Sequence, residues 1–171
     1  MGENQLELKT FTKSTQQLRF AFVATFMLWI LCVSVAISQI TSTQAVQDAI
    51  SQAERIENEV NLSIHKANAA GFEFITIQNI AQQKQFKLDS NLLEKIEFAQ
   101  AKSEEALEKF KNIGKKADEA LKKYQANNSA TNEAIFLRLI KDFVAQGNKY
   151  IELDKHYIKA IDELKSSFGV R

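Results

Sequence analysis

The sequence predicts an all-α protein, with one transmembrane helix continuing into a long antiparallel three-helix bundle packed like a coiled coil. Three observations lead there. The 171 residues include no proline and only five glycines, so nothing in the chain forces the backbone out of a helix. The run Phe20–Ile40 carries no ionisable residue. Beyond it, apolar residues recur in alternating steps of three and four, the spacing of one helix face in left-handed packing.

The apolar run comes first. At about 1.5 Å per residue it rises roughly 30 Å, the thickness of a bilayer's hydrocarbon core. Arg19 closes one end and Thr41, Ser42, Thr43 and Gln44 close the other. Thr25, Ser34 and Ser38 can return their hydroxyls to the helix backbone. Lys9, Lys13 and Arg19 precede the run, and only Arg55 follows it closely, beside Asp48, Glu54, Glu57 and Glu59. The positive-inside rule then gives a cytoplasmic tail over 1–19, a membrane helix over 20–40 and an extracytoplasmic body over 41–171. In a bacterium this would be the inner membrane with a periplasmic body. A cleaved leader is the rival reading, with Ser34-Val35-Ala36 as its small-x-small site. Its basic region is long and its apolar core exceeds the usual 7–15 residues or so. Met1-Gly2 lacks the Ser or Thr of a myristoylation signal, since Leu6 stands there.

Three helices follow, near 41–84, 90–126 and 131–168. The first stripe runs Val46, Ala49, Ala53, Ile56, Val60, Ser63, Ala67, Ala70, Phe74, Ile77 and Ala81. With no proline or glycine between Arg19 and Ala70, it extends the membrane helix as one rod, and Gly71 is its one candidate break. Asp89 or Ser90 caps the second helix, whose stripe runs Leu93, Ile96, Gln100, Ser103, Leu107, Phe110, Gly114, Ala117, Leu121 and Tyr124. A polar turn around Asn127 and Asn128 leads to the third, with Phe136, Ile140, Phe143, Gly147, Tyr150, Asp154, Tyr157, Ile161, Leu164 and Phe168.

Short connections make successive helices antiparallel neighbours. Folding about Asn128 pairs second- and third-helix residues whose numbers add to about 257. Gly114 then faces Phe143 and Gly147 faces Phe110, each glycine opposite a large ring. Glycine inside a helix costs about 1 kcal/mol relative to alanine, so two on the seam indicate a packing purpose. The same register sets Asp154 against Ser103, a polar layer that fixes register, with Ser103 or Lys102 as the partner a buried carboxyl requires. Phe72, Phe74, Ile75, Ile77 and Ile80 are apolar on more than one face of the first helix. They mark the best-covered part of the bundle or a contact with another subunit.

Chemistry is scarce. Lys and Arg number 22 and Asp and Glu 21, a balance without the basic excess that nucleic acid demands. The single cysteine, Cys32, lies in the apolar run and allows neither a disulfide framework nor a thiolate metal site. His65 has no carboxylate one turn away. His156 follows Glu152 by one turn, a two-ligand fragment short of a zinc site. No phosphate loop, dinucleotide fingerprint, HExxH or nucleophile elbow occurs. The charge runs after Lys102 mix both signs, as a solvated face does. Asn61-Leu62-Ser63 and Asn127-Asn128-Ser129 match the glycosylation pattern. The residues predict no enzyme, no cofactor, no metal and no small-molecule substrate.

An N-terminal apolar run over Phe20–Ile40 followed by long heptads resembles the helical sensory modules of bacterial chemoreceptors. It shares no diagnostic motif with them, and no second span or signalling segment follows. The leading expectation is a membrane-anchored accessory subunit whose bundle assembles with itself or with a larger membrane or envelope complex. The second, implied by the resemblance, is an extracytoplasmic ligand-sensing module.

Overall fold

A computed structural model describes residues 43–168. They form three helices, α1 (Gln44–Gln83), α2 (Ser90–Ala126) and α3 (Ala130–Ser167). Each begins at a polar residue held in extended backbone. Thr43, Asp89 and Ser129 have ψ of 154°, 116° and 150°, and their side chains accept from the backbone N–H of Val46, Asn91 and Asn132. Such caps satisfy donors that the first helical turn leaves open.

The cap at Thr43 corrects the expected continuous rod. Thr43 is not helical, and α1 starts at Gln44. Its hydroxyl also donates to Glu133 at 2.7 Å, tying the start of α1 to the start of α3. The apolar run 20–40 and the tail 1–19 lie outside the described residues. Among those described, no helix is long and apolar enough to cross a membrane. The physical reason is visible along α1: Asp48, Glu54, Arg55, Glu57, Glu59, Lys66 and Glu73 spread charge over the stretch 48–73, and glutamines and asparagines lower the hydropathy of the rest. The observed fold is therefore an all-α three-helix bundle. The predicted transmembrane helix running into it, the membrane as partner, and the cytoplasmic-tail and extracytoplasmic-body topology are corrected accordingly.

Within the bundle α3 is the common neighbour. Both α1 and α2 pack along it, while no Cα of α1 comes within 8 Å of a Cα of α2. The pairs Thr43–Glu133, Ser63–Asp154 and Glu73–Lys165 all climb together, so α1 and α3 are parallel. Ser103–Asp154 and Lys95–Glu163 run in opposite senses, so α2 and α3 are antiparallel. The buried faces are the three heptad stripes, widened by Ile64 on α1, Ala106 and Ala120 on α2 and Ala160 on α3. Toward the α1–α2 connection, Ala67, Ala70, Ile77, Ile96, Tyr157, Ala160, Ile161 and Leu164 form one cluster, covered by Phe74, Leu88, Leu92 and Phe168. Gly71 does not break α1.

The connection after α1 closes in a specific way. Gln85 adopts φ 53°, the Phe86 N–H donates to Ala81 O at 2.8 Å, and the Gln85 N–H donates to Gln82 O at 3.3 Å. This is a Schellman closure with glutamine in the left-handed position that glycine normally fills. Phe86 then lies edge-on to Phe168, ring centroids 5.1 Å apart. A side chain in left-handed backbone costs roughly 1–2 kcal/mol, and glycine there avoids most of it. Gln85→Gly is expected to raise stability by about 1 kcal/mol, read as a shift of the urea-unfolding midpoint with unchanged slope. A loss of stability would show that the glutamine makes a compensating contact.

Candidate functional site

The most organised polar group in the interior joins all three helices. Asp154 of α3 and Ser103 of α2 are fully buried, and Ser63 of α1 is buried. The Ser63 hydroxyl donates to Asp154 Oδ2 at 3.0 Å, and the Ser103 hydroxyl donates to Oδ1. A buried carboxyl without partners costs several kcal/mol, so each serine offsets part of a cost that α3 would otherwise impose. Asp154 and Ser103 are thus brought together as the register of the two helices requires. Ser63 is the partner the sequence reading did not assign, although it occupies the α1 stripe. Lys102 takes no part here: it pairs with Glu105 at 3.5 Å and lies 5.6 Å above the Phe98 ring.

One step along the bundle the glycines and rings interlock. A Cβ on Gly114 would stand 3.1 Å from Phe143, and one on Gly147 would stand 3.0 Å from Phe110 and 2.5 Å from Ile56 Cγ1. Phe110 and Phe143 are themselves stacked, with centroids 4.2 Å apart and planes at 22°. Gly147 therefore receives a side chain from each flanking helix, which lets α1 and α2 approach α3 at the same level. The Gln146 side chain donates to Ala106 O at 3.0 Å beside this layer.

Phe72, Phe74 and Ile75 do not form one surface. Phe74 packs against the core cluster, Ile75 is half-buried and Phe72 points outward. Both histidines, His65 and His156, are exposed. Among the described residues no three His, Cys, Asp or Glu side chains come together as a metal site. The Asn61 glycosylation pattern uses Ser63, whose hydroxyl is buried and bonded to Asp154.

One buried acid escaped the sequence reading. Glu57 of α1 is fully buried and neither carboxyl oxygen has a hydrogen-bond partner. Burial, reinforced by the nearby Glu54 carboxylate, pushes its carboxyl up to about 7. The available signal was the row Ile50, Glu57, Ile64, spaced by seven beside the main stripe. No family model, curated protein or solved structure matches the chain.

Two predictions test this interior. Gly147→Ala gains about 1 kcal/mol of helix propensity but places a methyl against Ile56 and Phe110, and overpacking of that kind typically costs 1–3 kcal/mol or so. Gly147→Ala is expected to lower the thermal midpoint by several degrees, while Gly114→Ala, facing only the edge of Phe143, stays close to the parent. The reverse order would contradict the packing described. Asp154→Ala orphans two buried hydroxyls and is expected to cost about 2–5 kcal/mol in urea unfolding; a cost under about 0.5 kcal/mol would show that the layer contributes little.

Proposed function

We propose that this chain is a non-catalytic helical interaction module, a three-helix body that meets another protein through its outer surface. The observation that carries the reading is the state of the Asp154 layer. Serine hydroxyls beside a carboxyl are the raw material of nucleophilic catalysis. Here both hydroxyls donate to that one carboxyl, and all three groups are shut away from solvent. Their chemistry is taken up in holding α1 and α2 to α3. The glycine–phenylalanine layer supports the same reading, because it spends helix propensity on close packing.

What remains for a partner is the outside. Phe98 on α2 is 66% exposed and Phe72 on α1 is 49% exposed, with Leu62, Phe86 and Ile135 also outside. Single exposed apolar residues are ordinary on a protein surface. The outward rings on α1 and α2 nonetheless supply the aromatic anchors on which protein interfaces commonly depend.

The membrane-anchored accessory subunit and the extracytoplasmic sensor both rested on a span that the described helices do not provide, and neither reading is carried forward. The test is cross-linking in the native cell with the full-length chain and its Phe72→Ser/Phe98→Ser double variant. The account expects discrete protein adducts with the parent, at least tenfold weaker with the variant, at an unchanged unfolding midpoint. Identical adducts from both chains, or a turnover abolished by Ser103→Ala in a folded protein, would overturn it.

A further inference from the structure

Glu57 does not belong to the Asp154 layer and has no role in the packing just described. It lies on α1 one residue after Ile56, which reaches the Gly147 site. Its row continues as Ile64, also buried, so a carboxyl occupies a position that the helix otherwise gives to an aliphatic side chain. Both oxygens lack a donor.

The surrounding charges are committed elsewhere. On α1, Arg55 pairs with Glu59 at 4.0 Å, and Glu54 adds repulsion. On α2, at the level facing Glu57, Lys109 bonds Glu105 at 2.7 Å and Lys111 pairs with Glu108 at 3.9 Å. On α3, at the same level, Lys149 and Glu152 are exposed. A buried carboxylate left without a donor or cation is costly, whereas the neutral acid is tolerated at such a site.

We propose that Glu57 is a proton switch within the bundle: its neutral acid lets the stretch of α1 around Ala53–Val60 pack, and loss of the proton loosens that stretch. The partner of this site is therefore a proton, and the element it controls is one helix of three. The direction follows from linkage. The folded chain holds a proton on Glu57 between the ordinary carboxyl value of 4.5 and about 7, while the unfolded chain releases it over that window. Stability contributed at this site falls as pH rises through the window and levels off above it. The Asp154 layer shares neither group nor bond with Glu57, so α2 and α3 keep their seam while α1 loosens.

The test uses the full-length chain in two measurements. Carboxyl carbon NMR follows Glu57 through a pH titration, its resonance identified by its loss in Glu57→Gln. Hydrogen exchange, corrected for the intrinsic pH dependence of amide chemistry, compares peptides within 50–64 with peptides within 136–150 at pH 5.5 and 8.5. The proposal expects Glu57 to titrate near neutrality. It also expects corrected exchange within 50–64 to rise about tenfold or more, with 136–150 unchanged and the rise absent in Glu57→Gln. Titration of Glu57 near 4.5, no rise in the parent, or an equal rise in Glu57→Gln overturns it. Should Glu57→Gln fail to fold, the resonance is assigned by sequential connectivity and the parent's titration decides alone.

Discussion

A carboxyl group buried between helices is costly unless hydrogen bonds or a proton offset its burial, and Asp154 is answered by hydrogen bonds from both sides. Ser63 on α1 and Ser103 on α2 donate to its two oxygens. Sliding either helix along α3 would carry its serine away from the carboxyl and break the bond it makes there. An apolar seam alone discriminates poorly between registers, because leucine fits leucine at several offsets. A polar layer discriminates well, since every wrong register leaves a buried group unpaired. The rest of the bundle inherits its alignment from this constraint.

The inherited alignment brings the glycine layer into place. With Asp154 between its serines, Gly147 meets Ile56 and Phe110, and Gly114 meets Phe143. The stacked rings of Phe110 and Phe143 then fill the seam between α2 and α3. Exposed ion pairs such as Lys165–Glu73 and Lys95–Glu163 agree with the register, but pairs of that kind contribute only a few tenths of a kcal/mol and do not set it. Because α1 and α2 are joined through α3 and not by close backbone approach to one another, disturbance of α1 near Glu57 need not spread to α2.

Much of this was legible in the chain, because heptad spacing reports which face of a helix is buried. The stripes named from the sequence supply nearly all of the core, and the polar turn around Asn127 and Asn128 places α2 against α3. Thr43 was harder. Thr41, Ser42 and Thr43 read equally as the polar edge of an apolar segment and as a helix start, and only backbone geometry shows that the Thr43 side chain caps α1. Heptads also say nothing about which of three helices is shared by the other two, so the central place of α3 was not visible. Glu57 was missed because its row flanks the stripe, where a charged residue is normally solvated. Phe72, Phe74 and Ile75 were grouped by composition, yet a helix turns by about 100° per residue and sends them to different environments.

The central claim is that one carboxyl couples two helices that barely approach each other. A thermodynamic cycle measures this directly: Ser63→Ala and Ser103→Ala, each made with Asp154 present and in the Asp154→Ala background, compared by urea unfolding of the full-length chain. With Asp154 in place, each serine loss is predicted to cost about 1–2 kcal/mol. Without it, the same losses are predicted to cost nothing or to stabilise, because they remove orphaned hydroxyls, giving a coupling of about 1 kcal/mol or more. Equal costs in both backgrounds, additive within about 0.3–0.5 kcal/mol, would contradict the account.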